Sequence, residues 1–299
     1  MSDRLEAMGG VVSGGSCPYR DLYIYALEGR VLRADESGFG SEFIGNWVEG
    51  ESSFLFFKEP ADERVARLLA QRPELTLSER YQFDYEEWQG GGLDCISAGG
   101  ITFRAAWSRV GTDDGRTLLL DPGVVFGNGV HPTTRDCLSA LAEAHARFPF
   151  HSVLDLGTGT GILALYAAAL DAERVLAVDL NPLCVRTAVR NVALNGFSDV
   201  IQVVEGRAED FCRKGVDVVV ANIHAEVIKS LLAVEAFLQS PVLIISGLLR
   251  TPFREIREKI RAAGYDIHRV YEHEMTWHTL MAVRPAPGDR AMGRFRVEP

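Results

Sequence analysis

Asp155 stands two residues ahead of Gly157 in the stretch VLDLGTGTGILAL, whose turn also carries Gly159 and Gly161. The next apolar run, VLAVDLN, ends on Asp179, about 20 residues beyond the glycines. Glycines between a strand and a helix let the backbone bend sharply and let a ligand approach it closely. A dinucleotide site wants G-x-G-x-x-G, with the helix amino terminus facing a pyrophosphate. Here the last position of that pattern is Ile162, and the spacing is G-x-G-x-G. That suits a cofactor without phosphate, such as S-adenosylmethionine, whose amino-acid end offers an ammonium group to Asp155, directly or through water. Asp179 can accept hydrogen bonds from both ribose hydroxyls, a device that nicotinamide enzymes share.

Two later strand ends add polar groups. VVEGRAEDF places Ala208 and Glu209 after a third strand, where a backbone N–H and a carboxylate can reach an adenine ring. VVVANIHAEVI puts Asn222 at the carboxyl end of a buried strand, facing the crevice where open α/β sheets bind ligands. Its amide needs a partner, either a ligand or the following helix as a cap. No metal is expected. His268, His273 and His278 recur every five residues, which puts neighbours on opposite faces of a strand. The cysteines 17, 95, 137, 184 and 212 are scattered and fit a reducing cytoplasm.

The elements that position these residues read as follows. Strands are expected at Ser152–Leu156, Arg174–Asp179, Ile201–Glu205, Val216–Asn222 and Val242–Ser246. Helices are expected at Ile162–Leu170, Pro182–Asn195, Ala225–Leu238 and Pro252–Ala263. Alternation with nearly continuous apolar strands predicts a doubly wound, mostly parallel α/β sheet. Strands near Asp266–Tyr271 and Thr279–Val283 would form an antiparallel edge. A helix begins at Pro132. Upstream, Asp21–Gly29 and Ser52–Phe57 read as strands and Ala61–Gln71 as a helix, giving a small α+β unit. GLDCISAGGITFRAAW and TLLLDPGVVF add further strands. The divisions expected are a flexible leader at 1–20, an amino-terminal α+β domain at 21–80, a linking segment at 81–118, the parallel-sheet domain at 119–284 and a flexible tail at 285–299.

The chain has 299 residues, enough for two folded units, and is 47% hydrophobic and 24% charged. The 41 acids exceed the 31 bases, for a net charge of −10. That balance argues against a broad nucleic-acid footprint and favours a basic protein partner. The start MSDRLEAMGG lacks a signal-peptide core and no run is long enough to span a bilayer, so a cytoplasmic location without membrane contact is expected.

The segments DPGVVFGNGVHPTT, LDLGTGTGILAL, AVDLNP and VVVANI, with DYEEW before and EMTWHTLMAVR after them, resemble the ribosomal-protein methyltransferase family known as PrmA. The resemblance covers roughly residues 84 to 284. It implies a Rossmann-like class I methyltransferase, with S-adenosylmethionine as donor and S-adenosylhomocysteine as product. It also implies amino groups of ribosomal protein L11, lysine or amino-terminal, as acceptors, and a substrate-recognition role for the amino-terminal domain. Family cofactor contacts fall on Thr134, Gly157, Asp179 and Asn222. The loop of Gly127 to Thr134 would pack over the cofactor, with Phe126 as an apolar wall beside the sulfonium. Asn222 would position cofactor or amine. His131 would act in the site or orient the loop. This sequence has Asn128 and Val130 where the family has Thr, and His224 where it has an apolar residue. Another protein, an RNA or a small molecule as acceptor, or a non-catalytic cofactor-binding module, are the alternatives.

Overall fold

The computed structural model describes residues 16–91, 95–108 and 116–285. The expectations for residues 1–15 and 286–299 fall outside these.

The first part of the chain is β1 (Asp21–Glu28), β2 (Phe43–Glu49), β3 (Ser52–Phe57), α1 (Asp62–Gln71) and β4 (Thr76–Asp84). The strands form an antiparallel sheet in the order β2-β3-β1-β4. One face packs on α1 through Tyr25, Leu55, Phe57, Val65 and Leu68. The other face carries Leu22, Ile24 and Phe56, which meet Val124, Val125, Leu183 and Cys184 of the later chain. Residues at the end of the expected leader belong to this second layer. Tyr19 is buried, stacks on Tyr85 and donates to Asp121 Oδ1 at 3.1 Å, so ordered packing, not flexibility, describes 16–20.

The helix α2 (Tyr85–Gln89) follows, capped by the Asp84 carboxylate. Next come β5 (Cys95–Ala98), β6 (Ile101–Ala105) and β7 (Thr117–Leu120), a three-stranded sheet of its own. The expected boundaries at 80/81 and 118/119 therefore fall inside β4 and β7. The apolar run LLLDPGVVF stops being a strand at Leu120 because Pro122 cannot donate to a ladder.

The remainder alternates as expected: α3 (Pro132–Arg147), β8 (Ser152–Leu156), α4 (Ile162–Ala169), β9 (Arg174–Asp179), α5 (Pro182–Leu194), β10 (Ile201–Glu205), β11 (Val218–Asn222), α6 (Ala225–Leu231), β12 (Val242–Leu249), α7 (Arg250–Ala262), β13 (Asp266–His273) and β14 (Trp277–Val283). The seven strands order as β10-β9-β8-β11-β12-β14-β13. All pairs are parallel up to β12, and β14 runs antiparallel to both neighbours. Successive connections leave β8 first toward β9 and later toward β11, so the topological switch point lies between β8 and β11.

Helices α3 and α4 cover one sheet face and α6 and α7 the other. The helix α4 reads ILALYAAA, apolar all round, because the three-stranded sheet and α3 bury its outer side; Tyr166 donates to the Ala98 carbonyl at 3.0 Å. The helix expected to reach Leu238 ends at Leu231 instead. The chain then turns so that Phe237, 1% exposed, packs into the core beside Leu231. Among the described residues, no helix is long and apolar enough to cross a membrane.

Candidate functional site

Parallel pairing aligns the strand ends at the switch point. Leu156 pairs with Val178 and with Ala221, so Gly157, Asp179 and Asn222 follow in one row along the carboxyl edge. Gly157 has φ of 74°, a region that disfavours side chains, and a Cβ there would lie 2.0 Å from Ile223 Cγ2. Gly159 has φ of 56°, and its Cβ would lie 2.5 Å from the Phe126 carbonyl oxygen. The turn thus needs bare backbone because the β11 end and the loop before α3 press on it.

Asp155 is fully buried on β8. Its Oδ2 accepts from the Thr158 hydroxyl at 2.6 Å, while Oδ1 makes no hydrogen bond among the described residues, although the Ala164 N–H acts on the carboxyl. Burial pushes this carboxyl up to about 7, against the Thr158 hydrogen bond, and the nearby Asp179 charge adds to the rise. A buried carboxylate oxygen beside a glycine turn has the capacity to accept from a cationic donor. Asp179 accepts from the Gly159 N–H at 3.0 Å through Oδ2 and from the Asn181 N–H at 2.9 Å through Oδ1. Burial raises its pKa also, opposed by these backbone N–H groups. Each oxygen keeps a second lone pair for a diol.

The loop before α3 is strapped to the turn. Thr160 donates its N–H to the Phe126 carbonyl at 3.1 Å and its hydroxyl to the Gly127 carbonyl at 2.6 Å. This leaves the Phe126 ring 77% exposed, with Leu180, 67% exposed, next to Asp179. Two large apolar side chains in water beside the strand ends are surfaces that a ligand would cover. Asn128, standing where the resemblance expects Thr, donates to the Gln89 carbonyl at 2.7 Å, and its Oδ1 accepts from the Val130 N–H at 2.9 Å, stiffening the loop.

His131 is the N-cap of α3, and Pro132 occupies the first turn. Its Nδ1 accepts from the Thr133 N–H at 3.4 Å and lies 2.7 Å from the Thr133 hydroxyl. Nδ1 is therefore the acceptor, and the neutral ring carries its proton on Nε2. Burial and His273 lower the His131 pKa, against the pull of Asp136, which keeps the ring neutral. Its edge meets the Trp277 ring at 5.2 Å. Through Nδ1 the ring caps α3 and so ties the loop to the helix.

Asn222 does not cap α6, whose N-cap is His224. It donates from Nδ2 to the Thr133 hydroxyl at 3.3 Å and leaves Oδ1 as an acceptor at the strand end. Thr133, which sequence reasoning passed over for its neighbour Thr134, is thus the residue that joins His131 to Asn222. Thr134 is buried in the first turn of α3, where its N–H reaches the His131 carbonyl. Ala208 and Glu209 lie on a short 3-10 turn after β10, next to β9; Glu209 pairs with Arg207 at 3.4 Å. They follow the Asp179 end of the row, where the Gly206 N–H reaches the Asp179 carbonyl, and Ala208 packs in one cluster with Ile223 and Ala225.

A polar chain missed in the sequence supports Thr133 from below. The Thr133 carbonyl accepts from Ser246 at 3.3 Å, Ser246 lies 2.5 Å from the Thr279 hydroxyl, and Thr279 donates to Asp136 at 3.1 Å. The same Asp136 meets His273 Nε2 at 3.0 Å. His268 lies against Glu143 and His278 against Glu272, so the three late histidines face three different carboxylates.

Comparison with known proteins points to one family. The family model described as "Ribosomal protein L11 methyltransferase (PrmA)" matches residues 58–285. A protein of that name from Heliobacterium modesticaldum is 36% identical over 192 residues, 62% of this chain and 58% of its own. One from Carboxydothermus hydrogenoformans is 31% identical over 240 residues, 76% of this chain and 78% of its own. Several such relatives are matched over little more than half their length. The crystal structure of a ribosomal protein L11 methylase from Lactobacillus delbrueckii subsp. bulgaricus superposes with a TM-score of 0.54 at 26% identity, covering 62% of this chain and 95% of that one. The model match runs from α1 through the last strand and takes in every strand end described above, and by it the chain belongs to the ribosomal protein L11 methyltransferase (PrmA) family.

Proposed function

We propose that the protein is an S-adenosylmethionine-dependent N-methyltransferase acting on lysine or amino-terminal amino groups of ribosomal protein L11. The observation that carries the cofactor is the buried Oδ1 of Asp155 beneath a glycine turn whose neighbour strand ends in Asp179. Those groups fit the donor: Asp155 for the ammonium of its amino-acid end, Asp179 for the ribose, and Phe126 and Leu180 as apolar walls. Family membership supports L11 as the acceptor, and the four-stranded sheet is the unit proposed to recognise it.

The bound cofactor supplies a methyl group made electrophilic by its sulfonium. The protein's part is to offer the amine unprotonated and in line, at about 3–3.5 Å. A lysine of pKa near 10.4 is about 3.4 units too basic at pH 7, a cost of about 4.6 kcal/mol. Burial in a crevice disfavours the charged form and supplies shifts of that size. Asn222 Oδ1 accepts one N–H of the amine and fixes the lone pair, while its Nδ2 is anchored on Thr133. No strong base is needed beyond this, and neutral His131, occupied at Nδ1, is not assigned as one.

Two measurements test the proposal. Titration calorimetry should show binding of S-adenosylhomocysteine and none of NAD. Labelled methyl from S-adenosylmethionine should enter L11 of ribosomes from an unmethylated strain. Label in RNA, or none, would overturn the assigned acceptor.

A further inference from the structure

On the sheet face covered by α6 and α7, the first two turns of α7 and the β13–β14 hairpin line a half-open cavity of about 190 Å³. Arg250, Arg254 and Arg257 line it from one side of the helix, spaced at i, i+4 and i+7. Arg257 pairs with the neighbouring Glu258 at 3.2 Å. Arg250 and Arg254 have no ion pair or hydrogen bond among the described residues. Two unpaired guanidinium groups at the amino end of a helix are doubly unfavourable, since they repel one another and oppose the helix dipole. The first turn of α7 carries no acidic residue, and no side chain caps it.

The far wall supplies an independent sign. His278 is 3% exposed, stacks on Phe253 at 4.5 Å, and its Nδ1 is buried without a partner among the described residues. The one carboxylate on the wall, Glu272, lies 3.6 Å from His278 Nε2. The positive charge of three guanidinium groups therefore exceeds the negative charge facing it, on a chain whose net charge is −10.

We propose that this cavity is an oxyanion-binding site, taking a phosphate or carboxylate group. Planar guanidinium forks match both oxyanions in a bidentate fashion. The volume lies below the roughly 300–1,000 Å³ of sites for drug-sized ligands, so it holds a single charged group and not a whole nucleotide. Through β14 the site is tied to the crevice. His278 pairs with Leu248, and the adjacent Trp277, on the other face of the strand, packs on His131. An anion held here lies one strand away from the loop over the glycine turn.

The test uses the full chain, labelled at the Met275 methyl and the histidine rings, and titrated with inorganic phosphate and, separately, glutarate. Chloride keeps the ionic strength constant. Saturable shifts at Met275 and His278 are expected with at least one probe. The stronger of the two identifies phosphate or carboxylate as the preferred group. In the exposed double variant R250A/R254A affinity should fall by about tenfold or more, one to two charged hydrogen bonds, with S-adenosylhomocysteine binding unchanged. E272Q should tighten the anion by removing the opposing carboxylate. Linear, non-saturating shifts with both probes, or equal affinity in R250A/R254A, would overturn the proposal.

Discussion

At pH 5 a carboxyl group that titrates near 7 is ionised in only about one molecule in a hundred. Asp155 is such a group, held up by complete burial and by the nearby Asp179 charge. A cofactor whose ammonium group needs the carboxylate must then work against that protonation. Below pH 7 its affinity should fall with a slope approaching tenfold per pH unit, about 50-fold from pH 7 to pH 5, equivalent to roughly 2.3 kcal/mol. S-adenosylhomocysteine is the ligand of choice, because it keeps the ammonium group and lacks the sulfonium charge. Titration calorimetry at fixed ionic strength, with circular dichroism to verify folding at each pH, gives the slope for the parent protein. D155N keeps the shape and the Thr158 contact but carries no titrating proton. It should bind more weakly at pH 8 and show a flat profile. An unchanged slope in D155N that disappears in D179N would move the titration to Asp179 and refute the reasoning. So would a flat profile in the parent.

Three further outcomes follow from the same geometry. Folded Asp155 keeps its proton up to about pH 7 and loses it near 3.8 when unfolded, so the folded state binds the extra proton across that window. Stability of the cofactor-free protein should therefore fall as pH rises from 4 to 7, by at most about 4 kcal/mol; the urea-midpoint difference between D155N and parent should grow with pH in the variant's favour. Asn191 is fully buried, and its amide bonds the Asp121 N–H and the carbonyls of Asp121 and Thr160. N191A should cost about 3 kcal/mol in urea unfolding by stranding these backbone groups. Replacing Asn222 with Ala should lower kcat by about tenfold or more while shifting the S-adenosylhomocysteine Kd less; unchanged turnover would remove Asn222 from the site.

Much of the parallel-sheet half was legible because its strands are buried on both faces. Continuous runs such as SVLDL and VVVAN can be little else, and the glycines mark where β8 ends. The antiparallel sheet was harder. Its outer strands, β2 and β4, were not expected, since an edge strand loses the clean apolar alternation: β4, TLSERYQFD, is exposed along most of its length. The site showed a similar division. Asp155, Asp179 and Asn222 announce themselves as polar residues ending apolar runs. Thr133, Thr158 and Asp136 do not, because their roles come from partners that the fold brings together. Asp136 meets His273 and Thr279, 137 and 143 positions away, and no local pattern encodes that meeting.

The helix α5 touches nearly everything described. Its cap residue Asn181 donates its N–H to Asp179, and Leu183 fills the place that a side chain at Gly45 of β2 would occupy. Arg186 grips Glu36 at 2.9 Å, Asn191 clamps the segment after β7 to the glycine turn, and Asn195 bonds both backbone groups of Leu119. One rod of 13 residues thus serves as an axle for three sheets. Substitutions spaced along it, though they face different sheets, share that axle, so their energetic effects will be non-additive wherever one of them lets it roll.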